Sequence, residues 1–165
     1  MALAAPVFVD TSVLVAGLIE MGDAPTPAEA ILDAIASRRV RQPLTAWHCV
    51  LEFYSVATRL PGGLRLEPQL AAQLVREEIL QRFEVCDLPP DGRREFVDTL
   101  VHERVAGGRV YDAHIAEAAR LAGARVVVTD NRRHFVALLR HGIRVLTAAE
   151  FAGEIDARPS GREAH

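Results

Sequence analysis

Short apolar runs alternate along the chain with stretches of helical spacing, and that alternation predicts the elements. Val7-Phe8-Val9 is continuously apolar and ends at Asp10, as expected of a strand covered on both faces. Helical spacing follows in Val13 to Leu18 and, past the turn Gly22 to Pro25, in Pro27 to Ala36, with Thr26 as cap and Pro27 in the first helical position. Arg41 to Thr45 predicts a weaker second strand. A helix then starts at Thr45 or Ala46, carries Val50, Leu51, Tyr54, Val56 and Ala57, and stops before Pro61-Gly62-Gly63. Pro68 to Arg82 reads as helix and Phe83 to Leu88 as a third strand.

Pro89-Pro90-Asp91-Gly92 breaks the chain before helices over Arg93 to Val105 and Tyr111 to Ala122, which Gly107-Gly108 separates. Arg125 to Thr129 is the clearest strand. A helix is expected from Asp130-Asn131 to Gly142, Ile143 to Leu146 forms a fifth strand, and Thr147 with Glu150 makes a capping box for a last short helix. The domain is expected to span residues 1–153, with 154–165 a frayed tail poor in apolar residues. Strands alternating with helices predict an α/β fold with a parallel sheet and helices on both faces. Ligands in such sheets sit beyond the carboxyl ends of the strands, where strand order reverses.

At 165 residues and 50% hydrophobic, the chain can bury roughly 70% of its unfolded surface without disulfides, and two cysteines make no disulfide framework. A net charge of −3 excludes a globally basic nucleic-acid binder but leaves room for a local positive patch. All 19 basic residues are arginine, which excludes Schiff-base lysine chemistry, a phosphate-loop lysine and a phosphorylated receiver domain. Ala2 through Ile19 is interrupted by Asp10 and has no basic leader, so it reads as strand plus helix rather than a signal peptide. No other stretch approaches membrane-spanning length, and a cytoplasmic protein is expected.

Two of the best strands end in aspartate, at Asp10 and Asp130. Asp112 stands in the first turn of the helix after Gly107-Gly108, and Glu52 in the second turn of the helix after the second strand. Taken singly, Asp10 could close an Asx turn, Asp112 and Asp130 could cap helices, and Glu52 could be solvated. Together they come from one end of the sheet. Two carboxylates about 5 Å apart at an effective dielectric near 20 repel by roughly 3 kcal/mol, so a cation should sit among them. Oxygen-only donors favour Mg²⁺ or Mn²⁺ over Zn²⁺, and such a site suits phosphodiester hydrolysis.

These residues resemble the PIN domain, specifically the VapC-type toxin ribonucleases of bacterial toxin–antitoxin pairs. The matching pieces are Val7 to Ser12, the helix Trp47 to Arg59 with Glu52, Tyr111 to Ala116, and Val126 to Phe135. The resemblance implies a three-layer α/β/α domain with a sheet of roughly five parallel strands, a Mg²⁺ or Mn²⁺ cofactor and endonucleolytic cleavage of RNA. It places Asp10, Glu52 and Asp112 on the family's metal-binding acids, the fourth position on Asp130 or Asn131, and a supporting hydroxyl on Thr11 or Ser12. His134 departs from the acid that many relatives carry before the equivalent of Phe135. A homodimer and a cognate VapB-type antitoxin are also implied.

Arg132 and Arg133, right after Asp130, are candidates for RNA phosphate contacts, ahead of Arg38, Arg39 and Arg41. His48, Cys49 and His114 read as structural, and Trp47 and Tyr54 as core or dimer contacts. Ser12 stands where a haloacid-dehalogenase phosphatase needs a second aspartate, and no glycine fingerprint for a dinucleotide follows the first strand. The alternatives left are a PIN-like module that binds RNA or protein without cutting, and a housekeeping RNA-processing nuclease.

Overall fold

A computed structural model describes residues 3–158. Its sheet has the order β3-β2-β1-β4-β5 and every pairing is parallel. The strands are β1 (Val7–Val9), β2 (Pro43–Ala46), β3 (Glu84–Cys86), β4 (Val126–Val128) and β5 (Arg144–Leu146). The burial of each strand follows its place in this order. The three inner strands β1, β2 and β4 are buried throughout, and β1 and β4 accordingly read as unbroken apolar runs, whereas the edge strands β3 and β5 keep exposed positions.

The chain winds outward from β1 through β2 to β3, then crosses back to β4 on the other side of β1. Strand order therefore reverses between β1 and β4, and residues just past these two strands are neighbours. The helices are α1 (Thr11–Leu18), α2 (Pro27–Ala36), α3 (Trp47–Ala57), α4 (Pro68–Leu74), α5 (Arg93–His102), α6 (Arg109–Leu121) and α7 (Ala148–Asp156). α4 continues as a π-helical turn over Val75–Leu80. α2 packs on α1 and α7, and α1 on α3, while α5 packs on α6. The capping boxes expected at Thr26 and Thr147 both form.

Two expectations fail. The helix expected from Asp130 to Gly142 is instead two 3₁₀ segments, Arg132–His134 and Val136–His141. Phe135, between them, leaves helical geometry at φ −116°, ψ 6°, and it and Leu138, three residues on, are buried while Val136 and Leu139 stay exposed. Three residues per turn suits that spacing over so short a span. The last helix also runs beyond the expected boundary at Gly153 and buries Ile155; residues 159–165 of the expected tail lie outside the described residues. Among the described residues no helix is long and apolar enough to cross a membrane.

Candidate active site

Asp10 follows β1 directly and precedes the first residue of α1, but its side chain makes no cap bond to that helix. The carboxylate turns into the sheet end instead and is 5% exposed. Thr129 Oγ1 donates to Asp10 Oδ2 at 2.8 Å and Ser12 Oγ donates to the same oxygen at 3.2 Å. Asp10 Oδ1 has the Cys49 thiol at 3.9 Å. Burial pushes the Asp10 carboxyl above the ordinary range; hydrogen bonds from Thr129, the Thr11 amide and Ser12 pull it back, and Glu52 adds to the rise. Burial and the neighbouring Asp10 likewise push the Cys49 thiol up to about 12, so it stays protonated and can donate.

Thr129 is the residue that sequence reasoning missed. It is fully buried at the end of β4, and its hydroxyl accepts from the Asn131 amide at 3.0 Å while donating to Asp10. A threonine closing an otherwise all-valine run is the only signal it leaves in the sequence. Ser12 Oγ works the same way, accepting from the Asp130 amide at 3.2 Å. The supporting role expected of Thr11 is directed at Glu52: Thr11 Oγ1 donates to Glu52 Oε2 at 2.7 Å and so ties α3 to α1.

Asp112 lies in the first turn of α6 and is not a cap, since Gly108 holds that position without a side-chain bond. Its Oδ2 meets His134 Nδ1 at 3.1 Å. His134 Nε2 in turn accepts from Arg133 Nε at 3.3 Å, which leaves the imidazole proton on Nδ1, facing Asp112. The residue that departs from the family's acid is thus the partner of one of the family's acids.

The expectation that four carboxylates meet is not met. Asp130 is exposed and its Oδ1 accepts from the Ala148 amide at 3.2 Å, the first amide of α7, whose cap is Thr147. Its carboxylate thus serves a helix 18 residues further on. Arg132 is turned the same way, paired with Glu150 at 3.0 Å. Among the described residues no three His, Cys, Asp or Glu side chains enclose a point where an ion could sit. The chemistry of the donors nevertheless fits a hard cation. Among the described residues Thr11 holds Glu52 through Oε2 and His134 holds Asp112 through Oδ2, which leaves Oε1 and Oδ1 for a cation, while Asp10 Oδ1 faces the Cys49 thiol. Asp10 is also a buried carboxylate that, among the described residues, has no basic side chain in ion-pair contact.

The remaining candidates fall into place around this core. His114 is half-buried, with Nε2 3.4 Å from Asp87 Oδ1. His48 stacks on Tyr111 at a centroid distance of 5.2 Å. Trp47, Leu51 and Tyr54 are exposed, which removes the core reading for Trp47 and Tyr54.

The family model of the PIN domain matches residues 7–138. Ribonuclease VapC27 of Mycobacterium tuberculosis is 34% identical over 128 residues, covering 77% of this chain and 86% of the relative. Among solved structures, PAE2754 from Pyrobaculum aerophilum superposes with a TM-score of 0.59 at 22% identity, over 95% of this chain and 93% of the other. The DNA-bound VapBC structure from Salmonella typhimurium gives 0.58 at 21% identity, over 87% and 98%.

Proposed function

The chain belongs to the PIN-domain family, and from that premise we propose that it is a Mg²⁺- or Mn²⁺-dependent endoribonuclease, the toxin of a VapBC-type toxin–antitoxin pair acting in the cytoplasm. The observation that carries this reading is Asp10: a buried carboxylate at the reversal point of the sheet, ringed by neutral donors, with Glu52 close enough to raise its pKa. Kinship with a protein named a ribonuclease supplies the substrate class.

Asp10, Glu52 and Asp112 would hold the cation through their untied oxygens. A divalent ion there would neutralise charge developing on the phosphate and make water acidic enough to attack it. Thr129 and Ser12 keep Asp10 aimed, Thr11 keeps Glu52 aimed, and His134 does the same for Asp112. A nearby carboxylate not bound to the cation can take the proton from the attacking water. Asp130 stands outside the holding set because it serves α7, and the Asn131 amide acts through Thr129. The exposed stripe Trp47, Leu51 and Tyr54 along one side of α3 supports a homodimer. A VapB-type antitoxin would be the second partner, its arginines suited to an acidic pocket.

The test is cleavage of RNA by purified protein in Mg²⁺ or Mn²⁺, with Asp10→Asn and Asp112→Asn beside it. Each substitution should lower cleavage by more than about 100-fold, because even groups that only support a metal's ligands cost 10–100-fold. Cleavage at the native rate in both variants rejects the assignment. Induced expression should stop growth and be relieved by a small partner protein; harmless expression rejects the toxin role.

A further inference from the structure

A cavity of about 440 Å³ opens between α5, α6 and the 3₁₀ segments that follow β4, and Asp112 and His134 form part of its wall. It thus reaches the Asp112–His134 pair of the candidate active site. α5, its outer wall, buries none of its own residues fully, and Phe96, Leu100 and Val136 give the cavity an apolar lining.

The charges around it do not cancel. Arg120 is paired with Glu117 and Arg140 with Glu103, each at 2.6 Å. Arg109 and Arg133 also line the cavity, and among the described residues neither is in an ion pair. Arg109 stands three residues before Asp112 on α6, so the two share a face of that helix. Arg133 reaches Asp112 through His134. Arg109 and the remaining donors of Arg133, whose Nε serves His134, therefore stand near the carboxylate over an apolar lining.

We propose that this cavity is the binding groove for the single-stranded RNA next to the cut. Arg109 and Arg133 hold successive phosphates, and the lining between α5 and the 3₁₀ segments takes a base. The inference rests on the ribonuclease reading and adds to it the path of the strand. Guanidinium groups suit phosphate oxygens because their donors form a fixed fork, and the volume lies in the range of about 300–1,000 Å³ typical of small-molecule sites. The half-exposed wall suits an unpaired strand, whose bases can splay against apolar side chains.

The experiment measures binding of a short fluorescent single-stranded RNA by anisotropy across a salt series, using full-length protein carrying Asp10→Asn so that the strand stays intact. Arg109→Gln and Arg133→Gln should each weaken binding roughly tenfold at low salt. Each should also flatten the salt dependence by about 0.7 in log–log slope, the value of one phosphate contact on a single strand. Arg109→Lys should keep the slope. In protein with Asp10 restored, Arg109→Gln should raise KM and leave kcat nearly unchanged. RNA cleavage with unaltered KM and salt slope in the double variant overturns the groove and leaves the ribonuclease reading standing. Loss of binding to an acidic peptide, with RNA binding intact, also overturns it in favour of a protein partner. A native protein that neither binds nor cuts RNA removes both readings.

Discussion

The two carboxylates at the centre of the candidate site are held in opposite ways. Asp10 is sealed at the end of β1 and surrounded by uncharged donors: two hydroxyls, a thiol and an amide. Asp112 is one-third exposed, rests on a single histidine and borders an open cavity lined with arginine. Burial without a countercharge makes Asp10 costly as an anion and therefore receptive to a cation, whereas the Asp112 side can exchange partners with solvent or a strand. One side is fixed by packing and the other is free to receive.

The contrast can be broken from the fixed side first. Thr129→Val keeps the shape of the side chain and deletes the donor to Asp10. It should reduce RNA cleavage by about 10–100-fold and, by leaving a buried acceptor short of a bond, lower stability by about 1–3 kcal/mol in chemical denaturation. A variant with native activity and stability would show that Asp10 does not depend on this hydroxyl. On the open side, His134→Ala should leave stability nearly unchanged but weaken Mn²⁺ binding, followed by calorimetry, by about tenfold. His134→Asn, which retains a short N–H donor, should recover part of the loss. Equal affinity in all three proteins would mean that the histidine does not aim Asp112.

A smaller effect tests the burial of Asp10 by pH. Because burial raises the Asp10 pKa, the folded chain binds this proton more readily than the unfolded chain does. The resulting stabilisation is complete below the unfolded value near 4 and is lost as pH rises through the folded value. Asp10→Asn should therefore melt higher than the native protein at pH 8 in chelator, by about 2–4 °C for each kcal/mol of relieved desolvation, and show no gain at pH 4. Parallel melting curves for Asp10→Asn and the native protein at both pH values would contradict the burial argument.

What the chain discloses and what it conceals divide along the same line. The inner strands are legible because burial on both faces demands unbroken apolar runs, and Asp10 at the end of one and Glu52 in a sparsely charged helix stand out against that background. Asp130 misleads because the last residue before a turn looks the same whether it faces a site or serves a helix packed nearby. Its partner, Ala148, is set by where α7 docks. The 132–141 segment has the residues of a helix, but Phe135 and Leu138 are fixed by the core they enter rather than by local propensity. Arg133 is legible from its place right after Asp130, whereas Arg109 carries no mark in sequence that separates it from Arg120 and Arg140, which have found carboxylates in the fold.

The most direct test of the account is a Mn²⁺ titration of the melting temperature, run on the native protein and on Asp10→Asn. A cation held by Asp10, Glu52 and Asp112 should stabilise the native fold by about 2.7 kcal/mol at a hundred times its dissociation constant and leave the melting point of Asp10→Asn unmoved. A flat curve for the native protein, or an equal rise in both, would contradict the claim that these carboxylates form a metal centre.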